Sequence, residues 1–292
     1  MRYSGKSIIF GVGSNLDQVY GVGDIHGNFI PFIDDIINSC KFRNCVVIVC
    51  GDCGFGFYSP KKMQEYFQKM QTMVSPYNVY IIFFRGNHDD PEWFKYKDDE
   101  FALNYKNIII AEDFTIVKFF DYNILLWGGG ISIDRYTRMQ NISYWKDEYV
   151  KPLPSTFDTD MNSEESLDIR CVCTHSAPDF CLPINSDGIS GFFRRDNTLE
   201  FDVNDERQTI SKGAYVLKRS NPRLELWIYG HFHDTLMNYN TMNDEIYRFS
   251  GITFVGLDMF REKYDKERMN KIHYNKFDRK NKNDFICIVN YR

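Results

Sequence analysis

Five of the six histidines fall in short blocks that also carry aspartate, asparagine and glycine. Asp24-Ile25-His26-Gly27-Asn28 comes first. Gly51-Asp52, Gly86-Asn87-His88-Asp89, Cys173-Thr174-His175-Ser176 and Gly230-His231-Phe232-His233 follow. Oxygen and nitrogen donors of these kinds suit hard and borderline divalent cations. Asp24 and His26 are two residues apart, so both can reach one ion once a strand gives way to a loop. His231 and His233 repeat that spacing, and Gly27 lets the backbone turn close by. Asp52 offers two carboxylate oxygens, enough to bridge two metals. Asn87 adds a neutral amide oxygen, and His175, His231 and His233 add imidazoles. Against the charges of Asp24 and Asp52, two divalent cations leave a centre of about +2, which attracts a phosphate dianion. Two such ions about 3.5–4 Å apart clamp the attacking and leaving oxygens of an in-line displacement, and acidify a bound water to hydroxide near neutral pH. His273 has no such companions and is expected at the surface.

Strands must deliver these blocks. Val19–Gly23, Val46–Cys50 and Val79–Phe84 are near-continuous apolar runs, as in strands buried on both faces, and each ends at a motif. Open α/β sheets place their ligands at such strand ends. Helices are expected over Phe29–Cys40 and Lys61–Val74. In the latter, Met63, Tyr66, Phe67, Met70 and Met73 recur at helical spacing and Pro60 suits the first turn. Asn107–Ala111, Phe114–Phe119, Ile124–Trp127, Ile169–Thr174, Leu224–Tyr229, Tyr247–Gly256 and Phe285–Val289 read as further strands, and Asp205–Arg219 as a helix stopped by Asn221-Pro222. Residues 133–166 and 176–204 fit neither period. They read as long excursions over the site. Residues 261–284 read as a charged connection.

The motifs run from residue 24 to residue 233, and a shared site needs all of them in one fold. A single domain over residues 1–292 is therefore expected, although length alone would suggest two. Hydrophobic residues at 43% and charged residues at 26% are ordinary for a globular chain. A net charge of −5 disfavours a general duplex-DNA binder, without excluding a local basic pocket. There is no apolar run of membrane-spanning length and no signal-peptide pattern at the N-terminus. Eight cysteines, mostly in apolar strand-like runs, suit reduced thiols and a cytoplasmic location.

Taken in order, Asp24-x-His26-Gly27, Gly51-Asp52, Gly86-Asn87-His88-Asp89, His175 and Gly230-His231-x-His233 resemble the full signature of the calcineurin-like metallophosphoesterases, over about residues 19–234. The resemblance implies an α/β fold of two mixed β-sheets packed as a sandwich and flanked by helices. It implies a dinuclear, metal-dependent phosphoester hydrolase. One metal would be held by Asp24, His26, Asp52 and His233, the second by Asp52, Asn87, His175 and His231. Mn²⁺ is the expected ion, with Fe, Zn or Ni as alternatives. His88 matches the position that protonates the leaving group or steadies the transition state, and Asp89 could orient it.

The chain departs from the serine/threonine phosphatase branch of that family. That branch continues its Gly-Asp with x-x-Asp-Arg-Gly, whereas here the run is Gly51-Asp52-Cys53-Gly54-Phe55-Gly56. Its second aspartate falls at Phe55 and its phosphate-binding arginine at Gly56. The chain looks closer to the smaller bacterial and phage-type members, as does Gly128–Arg135. Another cation must then hold the phosphate. Arg135 and Arg138 are the candidates, with Arg85 as rival; alternatively the first two pair with Asp134, Asp147 or Glu148 and merely hold the loop.

Other signals are rejected. Gly5-Lys6-Ser7 lacks the first glycine of a P-loop, Gly21-x-Gly23 lacks the third glycine of a dinucleotide fingerprint, and Cys50-x-x-Cys53 straddles Asp52 with no helix start behind it. The favoured substrate is a small phosphoester or nucleotide. A nuclease is the alternative, and Arg194-Arg195 beside Phe192-Phe193 is its one compact basic-aromatic cluster. A protein phosphatase or a non-catalytic scaffold is less favoured, since a scaffold should have lost ligands and none is missing.

Overall fold

The computed structural model describes residues 7–11, 13–95, 104–159, 167–183, 189–234, 236–237, 249, 251–260 and 285–291. His273 and the connection 261–284 lie outside them. The strands are β1 Ser7–Phe10, β2 Gln18–Val22, β3 Cys45–Cys50, β4 Val79–Phe84, β5 Ile108–Ile110, β6 Thr115–Phe119, β7 Tyr122–Trp127, β8 Ile169–Thr174, β9 Leu226–Tyr229, β10 Leu236–Met237, β11 Thr253–Gly256 and β12 Phe285–Asn290. The α-helices are α1 Phe29–Asp34, α2 Pro60–Val74, α3 Ser190–Phe193 and α4 Leu199–Ser220.

Two mixed sheets result. One has five strands in the order β12-β2-β3-β4-β5, the other seven in the order β1-β6-β7-β8-β9-β11-β10. Strands β2 to β5 run parallel and β12 antiparallel to β2, while β7, β8, β9 and β11 run parallel in the other sheet. The period-2 geometry of a strand divides each run between two cores. Val46, Ile48 and Cys50 of β3 meet Ile124, Leu126, Cys171, Cys173 and Ile228 of the facing sheet. Val47 and Val49 turn the other way, onto Phe29 and Phe32 of α1 and Met63, Phe67 and Met70 of α2. On the far side, Leu125, Trp127, Val172 and Trp227 pack against Ile210, Ala214 and Leu217 of α4. Both faces of the central strands are thus dry, which is why their sequences show no polar alternation. The stripe of Met63, Phe67 and Met70 is core, as expected. Ser59 caps α2 by accepting the Lys62 N–H at 3.4 Å, with Pro60 in the first turn.

Several boundaries differ from the sequence reading. α4 begins at Leu199 rather than Asp205, because Phe201 is 72% exposed and interrupts the apolar spacing that marks a helix face. The second excursion is shorter for that reason. The helix expected over Phe29–Cys40 ends its α-helical part at Asp34 and continues as a wider π turn, Asp35–Ser39, with the Cys40 N–H on the Asp35 carbonyl. β1, a four-residue edge strand paired with β6, carried no sequence signal. The described parts of the two excursions are tied together by Arg135, which pairs with Asp196 and Asp202 at 2.6 Å each.

Candidate metal centre

Each motif stands at the C-terminal end of a parallel strand: Asp24 after β2, Asp52 after β3, Asn87 after β4, His175 after β8 and His231 after β9. The first three come from one sheet and the last two from the other. The backbone is bent sharply where they emerge. His26 (φ 44°), Asp52 (φ 44°), His231 (φ 72°) and His233 (φ 54°) all lie in the left-handed region. Each costs about 1–3 kcal/mol unless its surroundings enforce it, and such residues concentrate at functional sites. Gly51 (φ 86°) is needed outright, since a Cβ there would stand 2.3 Å from Nδ1 of His175.

Two ligand groups converge and share Asp52. In the first, Asp24, His26, Asp52 and His233 place donor atoms all within 4.8 Å of one another. Nε2 of His233 is 3.0 Å from Oδ2 of Asp24 and 3.1 Å from Nε2 of His26. In the second, Asp52, His175 and His231 do the same. Nε2 of His175 lies 3.2 Å from Oδ1 of Asp52 and 2.9 Å from Oδ1 of Asn87. Ligands about 2.1 Å from a tetrahedral or octahedral ion sit about 3.0–3.4 Å apart, so these spacings fit a metal.

The donor chemistry fits as well. Nδ1 of His175 faces the Cys50 carbonyl at 2.8 Å, so it carries the proton. Without a cation, Nε2 can meet the two oxygens only by taking a second proton; as a lone pair, it and both oxygens would suit one metal ion. Asp24 is fully buried, and its Oδ2 faces only ring nitrogens, His233 Nε2 at 3.0 Å and His26 Nε2 at 3.7 Å. The same crowding shifts the protonation of these groups. Burial opposes the protonated form of His175, yet Asp52 and Asp24 outweigh it and lift the group to about 10. Burial and the neighbouring His175 push His231 down to about 3. Burial would raise Asp52, but His175 and His88 hold it well below the usual carboxylate range.

His88 sits at the rim, partly exposed. Its backbone N–H donates to Oδ1 of Asp52 at 2.8 Å, and its Nε2 is 3.8 Å from Oδ2. Burial lowers its pKa, Asp52 opposes this, and Arg138 adds to the lowering. Asp89 follows it but turns elsewhere. Its carboxylate accepts four backbone N–H groups, from Cys53 (3.0 Å), Gly54 (2.7 Å), Phe55 (2.9 Å) and Gly86 (2.8 Å). It clamps the loop after β3 to the loop after β4, and these bonds leave no sign of the expected contact with His88.

The three arginines separate. Arg138 reaches the centre, with NH1 2.7 Å from Nδ1 of His88 and NH2 3.0 Å from Nε2, while Asp134 holds it from behind at 2.6 and 2.9 Å. Arg135 is spent on Asp196, Asp202 and Thr198. Arg85 is buried, paired with Asp113 and donating to the carbonyls of Asp147, Glu148 and Tyr149. Beside Gly56 the indole of Trp145 takes the space, 3.0 Å from where a Cβ would stand. Three residues have supporting contacts that the sequence reading did not foresee. Asp113 receives Arg85 across 28 positions, and Ser132 and Glu148 hydrogen-bond to each other behind Asn87. Ser132 lies inside the noted run Gly128–Arg135 and Glu148 was named only as an arginine partner, while nothing marked Asp113.

The calcineurin-like phosphoesterase family model matches residues 18–235, and the chain belongs to that family. No curated protein matches the chain. Among solved structures it is similar to TT1561 of Thermus thermophilus, at 9% identity and TM-score 0.44, over 84% of this chain and 90% of that one. A dimetal phosphatase from Danio rerio is similar at 10% identity and TM-score 0.40, over 85% and 89%. A cold-active protein-tyrosine phosphatase of a Shewanella species is similar at 11% identity and TM-score 0.33, over 87% and 73%. Likenesses of this size carry nothing about substrate.

Proposed function

We propose that the chain is a dinuclear metal-dependent phosphoesterase acting on a small phosphoester or a nucleotide. One observation carries this reading: two groups of metal-ligand side chains meet at the single carboxylate of Asp52. Asp24, His26, Asp52 and His233 would hold one ion, and Asp52, Asn87, His175 and His231 the other. Mn²⁺ is the first choice, and Fe, Zn or Ni suit the same nitrogen and oxygen set. Bound there, two divalent cations supply Lewis-acid charge toward phosphoryl oxygens and make a water nucleophilic near neutral pH.

The chain's own residues do the rest. Asp52 steers His88 through the backbone N–H bond, which holds the imidazole at the rim where a leaving group would depart. Burial and Arg138 keep that imidazole neutral; an incoming phosphate dianion, opposite in sign, favours its protonated form and equips it to donate. Arg138 can turn its fork from His88 to two phosphate oxygens while Asp134 keeps it in reach. With Trp145 filling the space beside Gly56, this guanidinium is the cation best placed for a phosphate clamp among the three arginines. Arg195 lies over the Tyr136 ring, so the basic-aromatic cluster is partly engaged within the protein and gives no support to a nuclease. Eight free cysteines suit a reducing compartment, and we place the enzyme in the cytoplasm. We read the excursions as parts of one catalytic domain.

The test is a hydrolysis panel with Mn²⁺: aryl phosphomonoester, aryl phosphodiester, nucleotides, single-stranded DNA and RNA, and phosphopeptide. Turnover of a small ester or nucleotide, abolished by chelation, is expected. Activity confined to nucleic acid or phosphopeptide would overturn the substrate assignment.

A further inference from the structure

Asn87 can ligate a metal only through its oxygen, yet an amide presents oxygen and nitrogen in nearly the same shape. Something must choose between them. Nδ2 of Asn87 donates to Oγ of Ser132 at 3.0 Å. Ser132 Oγ donates in turn to Oε2 of Glu148 at 2.7 Å, and the Ser132 N–H donates to Oε1 at 2.7 Å. All three residues are about 1% exposed, so no water competes. Glu148 is itself fixed, since its carbonyl accepts the Gly130 N–H at 3.0 Å and an Arg85 N–H at 2.8 Å.

We infer that Glu148 and Ser132 are positioning residues whose hydrogen-bond direction turns the Asn87 oxygen toward the metal centre. The polarity follows from the donor inventory. As a carboxylate, Glu148 accepts from Ser132 at both oxygens, so the one hydroxyl proton points at Glu148. Burial raises this group to about 8, so the polarity and the titration that tests it belong above that pH. Oγ then has only lone pairs left for Asn87, and a lone pair selects the NH₂ group. Oδ1 faces the other way, 2.9 Å from Nε2 of His175. Reversing the chain would reverse the amide. This inference rests on the proposed metal assignment and adds a determinant of which metal position is filled.

Glu148→Gln tests it, because glutamine keeps the shape and the bond to the Ser132 N–H but makes the other end a donor. The Ser132 hydroxyl must then point at Asn87, and the amide flips its nitrogen inward. Mn²⁺ titration by calorimetry should show two sites in the native protein. In Glu148→Gln and Ser132→Ala, the first site should stay within about threefold and the second weaken roughly 10–100-fold, the range for residues that orient a metal ligand. Ser132→Thr, which keeps the hydroxyl, should restore the second site. The melting temperature of the metal-free variants guards against a merely structural effect, and Ser132→Ala carries the test if Glu148→Gln does not fold. Two native-strength sites in the folded Glu148→Gln or Ser132→Ala variant would overturn the inference, as would equal weakening of both sites. Absence of a second site in the native protein would instead overturn the metal assignment on which it rests.

Discussion

Gly86 holds the two sheets' contributions in register, and Gly86→Ala is the smallest change that should break the centre. A Cβ at this position would stand 2.2 Å from Oδ1 of Asp52, 2.3 Å from its backbone nitrogen and 2.7 Å from Nε2 of His175. Van der Waals contact requires about 1 Å more in each direction. A rotation of Asp52 cannot provide this, because its backbone nitrogen is blocked too, so the whole residue must shift. Overpacking of this kind costs about 1–3 kcal/mol of folding stability. The larger effect is functional, since a site displaced by about 1 Å loses roughly 10²-fold in rate. Asp52 belongs to both ligand groups, so both ions should be weakened together. Metal content by mass spectrometry, aryl phosphate turnover and urea unfolding measure the three effects. Gly191→Ala is the control, since a Cβ there meets nothing within 4 Å. Gly86→Ala with the metal content and turnover of that control would refute the geometry.

Three further outcomes are expected. His88→Ala should keep its metal content but lose turnover roughly 10²–10⁴-fold if the imidazole donates a proton; equal metal loss would mark it as a ligand. Arg138→Ala should lower kcat/KM by one to two orders of magnitude, roughly 1.4–2.8 kcal/mol, at unchanged melting temperature, whereas Arg135→Ala should lower stability and leave the metal sites intact. The metal-free protein should lose stability between pH 6.5 and 8. Burial raises Glu148 to about 8 and Glu206 to about 7, and Asp52 and Asp24 raise His175 to about 10 against its burial. The stability of a group with a raised pKa is complete below its unfolded value and is lost as pH passes its folded value, so all three act in the same direction in this window. The loss is about 2–5 kcal/mol, read by urea unfolding in chelator, and a flat or rising profile would contradict these environments. Below pH 6.5 the depressed His231 opposes the trend.

The candidate site was legible where chemistry restricts residue type. Only a few side chains bind divalent cations, and the sharp exits from β2, β3, β4 and β9 demand glycine beside them, so Asp24, His26, Asp52 and the others stood out together. The supporting shell was not. Glu148, 16 positions beyond Ser132, reaches Asn87 through it, and Asp113 meets Arg85 from the turn before β6; acids of this kind look like loop charges in a sequence. Asp89 shows the limit from the other side. Its position beside His88 suggested a partner for the imidazole, but the tight turn after β4 points its carboxylate at four amides instead. In the fold, strands buried on both faces were plain, whereas the start of α4 was hidden by the exposed Phe201.

The most direct test is anomalous diffraction from crystals soaked in Mn²⁺. Two peaks per chain are predicted, one among Asp24, His26, Asp52 and His233 and the other among Asp52, Asn87, His175 and His231, with the Asp52 carboxylate touching both. No peak, or a single ion that does not touch Asp52, would contradict the account.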